Sequence, residues 1–150
     1  MQTLFLGCDH AALEVKNRLK IYLEEKKYAV QDLGTHTSES CHYPDYASAV
    51  AKEVSRGSQE GARGILICGS GIGVSMVANR FQGVRAAMCR SLEDARLSRE
   101  HNNSNIICFG ARASEYEQIQ KMLDLWLETE FEGGRHAQRV ALFDNLGEKA

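Results

Sequence analysis

The stretch LICGSGIG, Leu66 to Gly73, ends an apolar run on a cysteine and follows it with three alternating glycines. Cys68 closes an expected strand, and Gly69, Gly71 and Gly73 lead into the helical stretch VSMVANR. The N–H groups of such a turn and the positive end of a helix face one point, which favours an anion. A free thiol has a pKa of about 8.5, lowered at a helix N-terminus, and its thiolate is the reactive form. Together these residue types predict a base or nucleophile acting beside a stabilised negative charge. Three familiar motifs do not fit. No Lys-Ser or Lys-Thr follows the glycines, so this is not a P-loop. The spacing G-x-G-x-G is not that of a dinucleotide fingerprint. A C-x5-R phosphatase loop needs arginine where Val74 stands. A lone glycine turn most often only links a strand to a helix; the thiol is what raises this one to a candidate site.

Other residues able to do chemistry are scattered along the chain. Asp9 and His10 follow the first apolar run, where an aspartate also serves as an N-cap for a helix at Ala11. His101 and Asn102 lie in the polar stretch EHNNSN, and histidine titrates near neutrality. Arg135 and Arg139 are spaced i,i+4 behind Gly133 and Gly134. On a helix they share a face and can clamp a dianion, although such a pair is ordinarily just a solvated surface. Tyr43 beside Pro44, and Arg112 in FGAR, complete the set. His36, His42 and His136 are expected to be structural or exposed. Cys8, Cys41, Cys89 and Cys108 are expected to pack. Five cysteines without a C-x-x-C spacing suggest neither a disulfide framework nor a zinc site. Reduced thiols in a cytoplasmic protein follow.

The elements that must position these residues alternate in type. TLFLG, YAVQDLG (ending at Gly34), GILIC, VRAAMC and NIICFG read as five strands. ALEVKNRLKIYLEEKK, PDYASAVAKEVSR (with Pro44 in its first turn), VSMVANR and YEQIQKMLDLWLETEF read as helices. Near-continuous apolar strands alternating with helices predict an α/β fold, a Rossmann-like three-layer α/β/α sandwich on a mostly parallel sheet. Such sheets bind ligands beyond the carboxyl ends of their strands, at the switch point in strand order. Those ends carry CDH, CGSGIG and FGAR. The 150 residues form one expected domain, 1–150, with a net charge of -2. Mixed charge gives no field for nucleic acid, no apolar run is long enough to cross a membrane, and MQTLFLGCDH lacks the charged n-region of a signal peptide.

GCDHAALEVK, YPDYA, CGSGIG, SREHNNSNIICFGAR and EGGRHAQRV occur in this order. Together they closely resemble the ribose-5-phosphate isomerase B family, which includes galactose-6-phosphate isomerase subunits and allose-6-phosphate isomerases. The resemblance runs from Thr3 to Val140. It implies an aldose–ketose isomerase of a phosphorylated sugar, with no metal and no cofactor. Cys68 matches the proton-transfer base of the cysteine-using members; others use a glutamate further along the loop, and no carboxylate lies between Cys68 and Asn79 here. Ser70, where many relatives carry threonine, would move a proton between O1 and O2. The amides of Gly69, Gly71 and Gly73 would hold the enediolate. His101 matches the ring-opening histidine, and Asn102 would hydrogen-bond the sugar. Asp9, His10 and Tyr43 match substrate-binding positions. Arg135 and Arg139, with His10 and Arg112, would hold phosphate. The family's site is shared between subunits, which implies a homodimer or a homotetramer, with LFDNLGEKA as an exchanged or packing tail. Two other classes fit the residues less well. A non-catalytic sugar-phosphate sensor needs neither Cys68 nor His101, and a cysteine phosphatase or redox enzyme lacks its arginine or its resolving cysteine.

Overall fold

Each strand of this chain turns alternate side chains to opposite faces, and both faces are apolar. Leu4, Leu6, Ile65, Ile67, Ile107 and Phe109 point to one side; Leu66, Cys68, Ile106 and Cys108 point to the other. Such strands need helices on both sides. A computed structural model describes residues Thr3 to Ala150 and has that arrangement. The strands are β1 (Thr3–Cys8), β2 (Ala29–Asp32), β3 (Arg63–Cys68), β4 (Ala86–Met88) and β5 (Ile106–Gly110). The helices are α1 (Leu13–Glu25), α2 (Tyr43–Arg56), α3 (Ile72–Ala78), α4 (Leu92–Glu100), α5 (Tyr116–Glu128) and α6 (Arg135–Ala141). All neighbouring strands are parallel, in the order β2-β1-β3-β5-β4. Helices α1, α4 and α5 cover the first face around the buried Trp126; α2 and α3 cover the second. The expected three-layer α/β/α sandwich with five strands is what forms.

The chain departs from the sequence expectation in two places. Helix α4 has no counterpart in it, although Ser91 caps the helix by accepting the Asp94 N–H at 3.0 Å and Asp94 accepts the Arg90 N–H at 3.0 Å. That S-x-x-D box was its sequence signal; the five arginine or acidic residues in LEDARLSRE hid the short apolar stripe. Strand β2 ends at Asp32 rather than Gly34, yet the Thr35 N–H still reaches the Cys8 carbonyl at 2.8 Å, so the loop continues alongside β1. The C-terminal stretch packs against its own chain: the Gly83 N–H bonds the Asp144 carbonyl at 2.9 Å, and Arg85 pairs with the Asp144 carboxylate.

Strand polarity decides where chemistry can occur. From β1 the chain steps one way to β2 and later the other way to β3, so the switch point lies between β1 and β3. Cys8 stands opposite Ile67 and Cys68 opposite Gly110. Asp9 and the glycine turn therefore emerge side by side at the carboxyl rim.

Candidate active site

An open cavity of about 460 Å³ lies at that switch point, lined by Asp9, Tyr43, Cys68, Gly69, Ser70, Gly73 and Arg112. Seven sequence candidates thus converge from four separate loops. The turn is built around the thiol. Gly71 adopts φ 78°, a left-handed conformation, and its N–H donates to Cys68 Sγ at 3.1 Å. A Cβ there would also sit 2.9 Å from the Phe109 carbonyl carbon, so β5 leaves room for glycine only. The Ile72 N–H donates to Ser70 Oγ at 3.2 Å. A Cβ at Gly73 would lie 2.7 Å from the Tyr43 ring, so this glycine lets the phenol pack closely against the first turn of α3. The Arg112 N–H donates to the Gly69 carbonyl at 3.0 Å, tying the β5 loop to the turn, and its guanidinium lies beside Gly69. Asp9 accepts the Ala11 N–H at 3.1 Å, the expected cap, and is nearly buried in the cavity wall. His10 stands nearby on the first turn after Asp9; its Nδ1 accepts the Cys41 N–H at 3.2 Å.

Cys68 differs from Cys8, Cys89 and Cys108 in bordering the cavity. Burial pushes the Cys8 and Cys89 thiols up to about 12, and Cys108, fully enclosed, also well above the usual range. These three stay protonated and pack, as expected. Cys68 alone among the four borders a cavity and receives an N–H on its sulfur.

The remaining candidates lie elsewhere. Helix α4 starts beyond the carboxyl end of β4 and runs back, so His101, its C-cap residue, sits at the amino rim just before β5 begins. The five residues of β5 separate the two rims by about 13 Å. Asn102 follows His101 at the same rim. The segment after α5 returns there too: the Glu132 N–H donates to the Glu100 carbonyl at 3.1 Å, which places α6 and its Arg135 and Arg139 beside the end of α4. The helix face expected of the two arginines is present, and both are exposed. One chain therefore carries two partial constellations at opposite rims. At the second, the His101 and His136 rings stack with centroids 4.2 Å apart and planes 11° from parallel. His136 is buried, as one of its two expected alternatives held; burial first, then the nearby charge of His101 and Arg135, lowers its pKa below the ordinary imidazole value. Its contact with His101, and that of Glu132, had no signal in the sequence because the three residues meet only through the return of α5.

A parallel sheet with a thiol and an amide-lined turn at its switch point defines an α/β enzyme for a small anionic substrate. The chain belongs to the Ribose/Galactose Isomerase family, which matches residues 4–143. It is 44% identical over 140 residues to ribose-5-phosphate isomerase B of Escherichia coli (strain K12), covering 93% of each chain. Among solved structures it resembles the Clostridium thermocellum ribose-5-phosphate isomerase B with a TM-score of 0.91 and 41% identity, over 95% of both chains. It also resembles the Mycoplasma genitalium enzyme with bound ribulose 5-phosphate, with a TM-score of 0.92 and 38% identity, over 95% of this chain and 93% of that one.

Proposed function

We propose that this protein is a metal-independent aldose–ketose isomerase that interconverts ribose 5-phosphate and ribulose 5-phosphate through an enediolate. The observation that carries this is the placement of the Cys68 sulfur in one cavity with Ser70 and the amides of the glycine turn. With the sugar open, the Cys68 thiolate takes the proton from C2 and returns it to C1. Charge moves onto the carbonyl oxygen, where a turn N–H is worth about 3–4 kcal/mol in such a role; the Gly71 N–H is given to Cys68 Sγ instead, so this task falls to the other N–H groups of the turn. The Ser70 hydroxyl carries the proton between O1 and O2. Asp9, Tyr43 and His10 bind the sugar hydroxyls, and Arg112 with His10 draws the phosphate to the rim.

Ring opening falls to His101, assisted by Asn102, and phosphate anchoring also needs Arg135 and Arg139. Because these stand at the other rim of the chain, a second copy must supply them, and the working unit is at least a homodimer. The exposed apolar side chains support this: Met76 on α3 is 66% exposed, and Leu142 and Leu146 are 83% and 67% exposed. Cytoplasmic location fits five free cysteines in the described chain; among the described residues no helix is long and apolar enough to cross a membrane.

The test is initial-rate isomerisation of ribose 5-phosphate, allose 6-phosphate and galactose 6-phosphate side by side. Preference for ribose 5-phosphate is expected. Preference for a six-carbon sugar would move the chain to the other branch of its family, and activity on none would favour a non-catalytic sensor.

A further inference from the structure

The constellation at the amino rim comes from two segments, the end of α4 with His101 and Asn102, and the chain after α5 that leads into α6. One buried side chain ties them together. Arg99, in the last turn of α4, is only 6% exposed. Its Nε donates to the Thr129 carbonyl, just past the end of α5, at 3.2 Å. Its Nη1 donates to Asn103 Oδ1 at 2.9 Å and to the Ser104 carbonyl at 2.6 Å. His101 and Asn102 lie between Arg99 and these last two acceptors, so the guanidinium closes the turn that carries them. The backbone closes the same turn: Asn103 takes the left-handed φ of 48° and donates its N–H to the Arg99 carbonyl at 3.1 Å.

As core material Arg99 is a poor choice. Burial, and then the charges of Arg63 and Arg85, pull its pKa down to about 10, the mark of a cation held against its surroundings. Its guanidinium carbon lies 5.9 Å from the centre of the buried Trp126 ring, where an apolar side chain would pack without a charge to desolvate. An apolar side chain could not hold three acceptors on two segments, which is the work of a rigid fork of donors. Arg85 grips the turn from the β4 side, its Nε donating to the Asn103 carbonyl at 2.8 Å, and it pairs with Asp144 beyond α6. Of the two guanidiniums, Arg99 is the one that reaches the segment entering α6.

We propose that Arg99 is a positioning residue for ring opening, its guanidinium setting the turn of His101 and Asn102 against the segment that enters α6. This rests on the ring-opening role of His101 and on the site shared between two chains, both proposed above. Proton transfer needs the imidazole within hydrogen-bond reach of the sugar, and a displacement of about 1 Å can cost about 100-fold in rate. Lysine at position 99 keeps the charge but offers a single point in place of the fork, so it cannot span Thr129 and Asn103 together.

Arg99→Lys is purified alone and, through two affinity tags, as mixed dimers with Cys68→Ala and with His101→Asn. Alone it should turn over ribose 5-phosphate about 100-fold more slowly than wild type. Open-chain ribulose 5-phosphate should lose less, with the imbalance that His101→Asn shows. The mixed dimer with Cys68→Ala should recover about half the wild-type rate, because one site then joins an intact Cys68 to an undisturbed His101 turn. The mixed dimer with His101→Asn should recover nothing, because both of its sites carry a faulty turn. Normal turnover by Arg99→Lys alone overturns the role. So does failure to recover with Cys68→Ala while a Cys68→Ala/His101→Asn dimer is active, since the damage is then general. If that reference dimer is itself inactive, the shared site is refuted and the sugars decide on Arg99: equal losses on both overturn its role. Should Arg99→Lys fail to fold, Asn103→Gly replaces it in the same pairings, keeping the left-handed backbone and removing the Oδ1 acceptor. Its expected loss on ribose 5-phosphate is at least about tenfold, and normal turnover overturns the role.

Discussion

Cys68→Ala and His101→Ala, each inactive alone, should restore activity when placed in the same dimer. Cys68 opens into the carboxyl-rim cavity, while His101 caps the end of α4 at the amino rim. The span of β5 keeps them about 13 Å apart or more, far beyond the contact that proton transfer to one sugar requires. If both act on one sugar, as proposed, each working site draws these residues from two chains. A heterodimer of the two variants then has one site with both groups intact and one with neither. Random pairing of equal amounts makes half the dimers mixed, so total activity should reach about one quarter of wild type in a two-fold assembly. The variants are co-expressed with different affinity tags, the mixed species is isolated through both, and ribose 5-phosphate turnover is measured per dimer. The purified heterodimer should give about half the wild-type rate. If it is as inactive as its parents, while its mass shows a dimer, the two residues do not act across an interface.

Cys68→Ser should lower kcat at least about 100-fold with sugar-phosphate binding largely kept, because a hydroxyl is a poor base at neutral pH; near-normal turnover would remove the thiol from the chemistry. Arg139→Ala should weaken ribose 5-phosphate binding roughly 10- to 150-fold, the range for a lost charge-assisted bond, and leave unphosphorylated ribose almost unaffected. Equal loss with both sugars, or none, would make the arginines a plain charged surface. Turnover should survive prolonged EDTA treatment, since the amides of the turn meet the developing charge; a loss reversed by a divalent ion would contradict this. Stability should fall as pH rises from about 9 toward 12, because the Cys8 and Cys89 thiols ionise near 9 when unfolded but are held at about 12 by burial. Urea denaturation across that window checks it: a Cys8→Ala/Cys89→Ala variant should show a shallower decline, and an equal slope would assign the loss to other groups.

Much of this protein was legible in its residues alone. Apolar runs such as GILIC and NIICFG, short and rich in isoleucine, read as strands buried on both faces, which implies helices above and below. Cys68 before alternating glycines marked the turn that borders the carboxyl-rim cavity, where the Gly71 N–H donates to the thiol. The capped helix α4 was hidden by charge, since a short amphipathic stripe is a weak signal whereas its Ser91–Asp94 box is a local one. What no local pattern carries is the direction in which each helix returns. Strand polarity sends Asp9, Cys68 and Arg112 to one rim, and the descent of α4 and α5 delivers His101, Glu132 and His136 to the other. Side-chain identity sets what a residue can do. Which residues it does it with depends on contacts between distant segments, and those exist only once the sheet has brought the chain back on itself.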